Sequence, residues 1–171
     1  MLKLSDHDLL RAADLHTPNY DRRYRDIQIE KISKILLYRV SLRNKVILDA
    51  GCGTSLLYPY LERDSLYIGV DISPAMLSRS TSNTFRVVST IECLPFCDNI
   101  FSEVFCITVL QNIFDRKKAL SELFRVLMPS GRLFLSLLRK MHKEEEVSVR
   151  CRLVSKIDDP SIEDVIYIFE K

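Results

Sequence analysis

At 171 residues, 47% of them hydrophobic, the chain is sized for one domain around one substantial core. Lys plus Arg is 25 and Asp plus Glu is 23, so the net charge of +2 is too small by itself to argue for a nucleic-acid partner. The cysteines (Cys52, Cys93, Cys97, Cys106 and Cys151) are odd in number and sit mostly in apolar or motif segments, which argues against a disulfide framework and for a reducing cytoplasm. Cys93 and Cys97 have neither a second pair nor a nearby His, so no metal is assigned. No apolar run reaches the ~18 residues a spanning helix needs, and the first residues carry charges throughout, so neither a membrane span nor a secretory leader is expected.

In chain order, Ser5 to Leu15 read as a short helix capped by Ser5 or Asp6, which the segment around Pro18 breaks. A longer helix is expected from Asp21 to Val40, with Ile27, Ile32, Ile35, Leu36 and Val40 as its apolar stripe. The stretch VILDAGCGTS follows, a strand over Lys45 to Asp49 that enters a turn at Gly51 and Gly53 and then a helix from Thr54 to Arg63, kinked at Pro59. SLYIGVDIS makes the next strand, ending in Asp71, after which Ser73 caps a helix that has Pro74 at its first position. Thr84 to Ser89 is a third strand and Phe101 to Ile107 a fourth, with a turn at Asp98-Asn99 between them. Asp115 caps a helix over Arg116 to Leu127, stopped by Pro129 and Gly131, and Gly131 to Leu138 is a fifth strand. KMHKEEE reads as a short helix or loop, VSVRCRLVS as a strand, DDPS as a turn and VIYIFEK as a final strand.

This alternation predicts an α/β fold. Its form is a doubly wound, mostly parallel seven-stranded sheet with helices on both faces and an antiparallel C-terminal strand. One domain spans 1–171, with residues 1–43 as N-terminal helices and a lid, and 44–171 as a Rossmann-like core.

A strand feeding a glycine turn leaves a crevice at its carboxyl end, where a ligand can approach the backbone. Asp71 ends the next strand, where a carboxylate can accept from both hydroxyls of an adenosine ribose. A dinucleotide fingerprint wants a third glycine where this chain has Leu56, so that match fails. Asp49 would repel a phosphate and attract the ammonium of a methionine moiety, which favours S-adenosylmethionine.

From Val46 through Leu138 the chain resembles the class I (seven-strand) S-adenosylmethionine-dependent methyltransferases. Asp49, Gly51 and Gly53 match the acidic residue and glycines of that family's first motif, with Ser55 in place of the third glycine. YIGVDIS is similar to the second motif, making Asp71 the ribose ligand and Ile72 a wall against the adenine. IECLPFCDNIF resembles the segment that meets the adenine, but the family's acid falls on Thr90, leaving the Thr90 hydroxyl, the backbone near Ile91, or Glu92 in a shifted register to make that contact. VLQNI stands where many small-molecule members show VLHH, and RVLMPSGRLFLS matches the lead into the fifth strand. The resemblance therefore implies Asp49, Ala50, Gly51, Gly53, Asp71, Ile72, Thr90, Ile91, Ile107 and Tyr20 as cofactor-binding residues, with Gln111 and Tyr24 facing the acceptor.

The implied activity is methyl transfer by in-line displacement, which needs orientation more than a base. The sequence offers no convincing base, since His7, His16 and His142 lie outside the central motifs. Tyr20 and Tyr24, in NYDRRYRD, either close the pocket or pack a helix start, and Gln111 either faces substrate or caps a helix. The family's NPPY or DPPY motif is absent, which disfavours adenine-N6 and glutamine-N acceptors. Basic clusters at Arg22 to Arg25, Arg116 to Lys118 and Arg139 to Lys140 either line an RNA or form solvated faces interleaved with acids. With no room for an inserted substrate domain, the acceptor is expected to be macromolecular, RNA or protein, or a protein partner is expected to help. The competing readings are a non-catalytic S-adenosylmethionine-binding subunit supporting a partner and, disfavoured by Leu56, a nucleotide-dependent oxidoreductase.

Overall fold

Seven strands form one sheet in the order β3-β2-β1-β4-β5-β7-β6. They are β1 (Val46–Ala50), β2 (Leu66–Asp71), β3 (Phe85–Val88), β4 (Phe101–Ile107), β5 (Leu127–Leu138), β6 (Arg152–Ile157) and β7 (Asp164–Glu170). The structure is a computed structural model that describes residues 20–40, 44–80, 84–141 and 151–171, so the expected helix at 5–15 and all three histidines lie outside it. Strands β1 to β5 pair in parallel, and β7 is antiparallel to both β5 and β6. The expected fold class is the one observed.

Alternate residues of each strand enter opposite cores, as the period of two requires. Ile47, Phe105, Phe134, Ile166 and Ile168 face α1 (Tyr20–Leu36), which adds Ile32 and Ile35. Leu48, Val104, Leu133 and Leu135 face α3 (Arg116–Val126), which adds Ala119, Leu120, Leu123 and Phe124. The rings of Phe105 and Phe134 stack at 4.7 Å in the middle of the first core. Helices therefore cover both faces. Two caps stand where the sequence puts them: Ser73 Oγ accepts from Met76 N–H ahead of α2 (Pro74–Ser78), and the Asp115 carboxylate accepts from Lys118 N–H ahead of α3.

Three expected boundaries are corrected. Thr54 to Arg63 is no α-helix; only a 3-10 turn forms, at Tyr58–Tyr60. Ser55 takes a left-handed φ of 62°, and Pro59 withholds the N–H that a continuing helix would use. The first helix stops at Leu36, and Leu37 and Val40 of the expected stripe region are 82% and 48% exposed. Helix α3 ends at Val126, and β5 starts at once from Leu127, so Pro129 and Gly131 lie inside an irregular strand start opposite a register shift in β4.

At the amino end of the sheet, Glu103 of β4 is buried with two cations. Its Oε2 accepts from Arg39 Nη2 at 2.6 Å, and its Oε1 pairs with Lys45 Nζ. Those three charges sit on the face covered by α1 and close that end of the molecule with groups of its own chain.

Candidate functional site

The opposite end of the sheet carries the carboxyl ends of the parallel strands. In the strand order, β1 is followed toward one edge by β2 and β3 and toward the other by β4 and β5, so the connections leave β1 and β4 in opposite directions and a crevice opens at their carboxyl ends. Asp49 and Ala50 ending β1 with Gly51 and Gly53 after it, Asp71 ending β2 with Ile72 after it, Thr90 and Ile91 after β3, and Ile107 ending β4 all come to this end.

Asp49 points to the α1 face and is 5% exposed. Tyr67, on the neighbouring strand, donates its hydroxyl to Asp49 Oδ2 at 2.6 Å. Burial pushes the Asp49 carboxyl up to about 7, the Tyr67 hydroxyl opposes the rise and the nearby Asp71 adds to it. Among the described residues no cation pairs with Asp49. Near neutral pH the Asp49 carboxyl is thus only partly ionised, short of the full negative charge read from the sequence. Tyr67 itself stays protonated, since burial and then the Asp49 charge push its hydroxyl well above its ordinary value.

Gly51 turns the chain with φ of 79°, and its N–H and that of Cys52 share the Val70 carbonyl at 2.7 and 2.9 Å. A Cβ on Gly51 would lie 2.4 Å from Val109 Cγ2, so only glycine fits between the first turn and the residues that follow β4. Asp71 is gripped by backbone: its Oδ2 accepts from Gly53 N–H at 2.8 Å and its Oδ1 from Ser73 N–H at 2.9 Å. The positive φ at Ser55 accounts for the glycine that the resembled motif has there. Burial pushes the Cys52 thiol well up, which leaves it inert beside the carboxylates.

Along the rim, Thr90 Oγ1 donates to Glu92 Oε2 at 3.2 Å, while Glu92 Oε1 accepts from Asp115 N–H at 2.8 Å. Glu92 is therefore tied to the start of α3, and the Ile91 side chain, 3% exposed, belongs to the α3-side core. Arg125 fixes the same loop by donating to the carbonyls of Phe96 and Leu94, which gives the RVLMPSG arginine its structural reason. Gln111 lies on a 3-10 turn after β4 and donates its amide nitrogen to the Thr108 carbonyl. Lys31 of α1 meets Thr108 at this end while Arg39 meets Glu103 at the other, so Tyr24 and Tyr20 stand about 10 and 16 Å further along the helix axis, toward the crevice. The Arg23 guanidinium lies over the Tyr24 ring at 5.4 Å.

Tyr67 was missed by sequence reasoning, although its place two residues before Gly69 in YIGVD put it on the same face as Asp71. The donor set suits a ligand cationic at one end and hydroxylated further along, and repels a pyrophosphate. Among the described residues no group of His, Cys, Asp or Glu could hold a metal ion, all five cysteines are free, and no helix is long and apolar enough to cross a membrane.

Residues 48–135 match a family described as a methyltransferase domain. An uncharacterized protein of Methanocaldococcus jannaschii is 34% identical over 122 residues, covering 70% of this chain and 53% of that protein. The chain spans about half the length of the curated relatives it matches. Among solved structures, the N-methyltransferase NodS of Bradyrhizobium japonicum, in complex with S-adenosylhomocysteine, superposes with a TM-score of 0.81 at 16% identity over 95% of this chain and 98% of that one. A methyltransferase in complex with the Trm112 activator of Haloferax volcanii gives 0.76 at 15% identity, over 92% and 96% of the two chains. At such identities the likeness is one of fold.

Proposed function

The chain belongs to the family of S-adenosylmethionine-dependent methyltransferase domains, and from that premise we propose that it moves the methyl group of S-adenosylmethionine to a macromolecular acceptor, RNA or protein. The observation that carries the reading is Asp49, a buried carboxylate that no cation of the described chain neutralises, next to the glycine turn. Asp49 holds the ligand's ammonium, and Asp71 accepts from its ribose hydroxyls while the N–H groups of Gly53 and Ser73 keep the carboxylate in place. Ala50, Gly51 and Gly53 offer backbone to the middle of the ligand, Ile72 and Ile107 wall it, and the Thr90 hydroxyl and the Ile91 backbone serve the adenine.

When bound, the cofactor supplies a methyl group on a sulfonium. What the chain's residues contribute is alignment of acceptor, methyl and sulfur, which in favourable intramolecular models is worth roughly 7–11 kcal/mol without a base. Gln111 and Tyr24 face the acceptor in this reading. A macromolecule is favoured because the connections among β1 to β7 carry no inserted substrate domain. The Haloferax volcanii methyltransferase has an activator bound, which supports a protein partner for this chain too. The free thiols support a cytoplasmic site of action.

Calorimetry with S-adenosylmethionine, S-adenosylhomocysteine and NAD tests the cofactor. Binding of the first two without the third is expected; NAD binding would sink the reading. Transfer of a labelled methyl into fractionated cell extract then separates an enzyme from a non-catalytic binding subunit, and names the acceptor class.

A further inference from the structure

The carboxyl end of the sheet also holds a buried polar cluster that the cofactor site does not use. Lys31 of α1 and Asp164 at the start of β7 form an ion pair at 2.6 Å, with side chains 2% and 0% exposed. Asp164 Oδ2 accepts from the hydroxyls of Thr108 at 2.8 Å and Ser136 at 2.7 Å. Lys31 Nζ also donates to Thr108 Oγ1 at 3.0 Å, and Thr108 N–H donates to Ser136 Oγ at 3.0 Å. Each hydroxyl accepts once and donates once, whereas Asp164 Oδ1 has the Lys31 ammonium as an ion-pair partner and no hydrogen bond among the described residues.

A buried ion pair can often be exchanged for apolar residues at no loss of stability, so its presence speaks for a fixed geometry more than for a stable fold. The geometry fixed here is an uncommon one. Thr108 has φ of 58°, a left-handed conformation that a β-branched residue adopts only when its surroundings impose it. That turn brings Val109 against Gly51 and leaves the Thr108 carbonyl to accept from Gln111 Nε2. With its nitrogen so engaged, Gln111 Oε1 is buried with no hydrogen-bond partner among the described residues. A buried acceptor left without a donor is costly, and a ligand that brings one relieves it.

We propose that Lys31 and Asp164 are positioning residues: by holding Thr108 in its turn they present Gln111 Oε1 to an N–H or O–H of the incoming nucleophile. The acceptor atom is then the nitrogen of an amine or the oxygen of a hydroxyl. As its bond to the methyl carbon forms, the methyl–sulfur pair stays on sulfur and the nucleophile's proton passes to water. The acceptor half of this inference rests on the methyl-transfer reading, whereas the positioning half does not.

Amide hydrogen exchange, calorimetry with S-adenosylhomocysteine and labelled-methyl transfer into cell extract test both halves. The double variant Lys31→Met/Asp164→Leu should exchange the Thr108 and Asn112 amides about tenfold faster or more, with S-adenosylhomocysteine affinity kept within about threefold. Transfer should fall about tenfold in the double variant and in Gln111→Leu, and no further when they are combined, as expected of residues acting as one unit. Ser136→Ala keeps the ion pair and should give the same exchange change at smaller amplitude, which decides the matter should the double variant not fold. Unchanged exchange, or loss of cofactor affinity in parallel with transfer, would overturn the positioning role. Undiminished transfer by Gln111→Leu would overturn the acceptor assignment. A native protein that binds S-adenosylhomocysteine yet methylates no fraction would overturn the methyl-transfer reading and the acceptor half with it, with the exchange data still deciding the rest.

Discussion

Glu103 and Asp49 are carboxylic acids buried on the same face of adjacent strands, yet one has two cations of its own chain and the other has none among the described residues. At the amino end, Arg39 and Lys45 complete the charge and nothing is left for a ligand to do. At the carboxyl end, a single tyrosine hydroxyl reaches Asp49 and burial raises its carboxyl to about 7. The difference teaches where to look for binding: a buried charge that the fold has neutralised holds structure, and one that it has left open holds a partner for another molecule.

The largest effect should come from removing the closed end. Glu103→Ala leaves Lys45 a buried cation without its counter-ion and Arg39 with Glu62 alone, and should cost about 3–5 kcal/mol of stability. Thermal melting would show the loss, while S-adenosylhomocysteine affinity of the folded fraction should be unchanged; a loss of affinity without a loss of stability would break the contrast. Asp71→Ala should do the reverse, lowering S-adenosylhomocysteine affinity on the order of 100-fold, about 2.8 kcal/mol, with melting little changed. Unaltered affinity there would show that the ribose is misplaced.

The Asp49 carboxyl sharpens the comparison through pH. Its folded value is raised, so it is protonated below about pH 7, while the ligand ammonium prefers the carboxylate. Affinity for S-adenosylhomocysteine should therefore be full above pH 7 and fall below it, by at most about tenfold per pH unit for one linked proton. Calorimetry over about one and a half pH units either side of that value should show this slope, and Asp49→Asn should flatten it. The smallest change is Tyr67→Phe, which removes the one bond favouring the charged form and should move the midpoint of that slope upward by about one unit. A midpoint that stays or falls would mean that Tyr67 does not support the carboxylate.

The strands and caps were legible because their signals are local. Ser73 and Asp115 cap by bonds to N–H groups three residues on, and β1, β2, β4 and β7 are short, mostly apolar runs. The segment after Gly53 was misread because the spacing of its leucines and tyrosines suits a helix, whereas the left-handed Ser55 and the ring of Pro59 act on the backbone and leave no trace in periodicity. Lys31 and Asp164 were invisible for another reason: they meet across 133 positions, and a lysine in EKISKIL looks like a solvated one. The signal that would have found it is its place four residues before the fully buried Ile35, on the same helix face.

Strand β7 is last in sequence but lies between β5 and β6, and it brings Asp164 with it. During synthesis the flank of β5 that will receive it, including Phe134 and Ser136, has no neighbour until those residues leave the ribosome, and β6 has nothing to pair with. Lys31, made 133 positions earlier, waits for its counter-ion until Asp164 follows. Chains stalled short of residue 164 carry the glycine turn and both crevice carboxylates but lack the strand that lies beside β5.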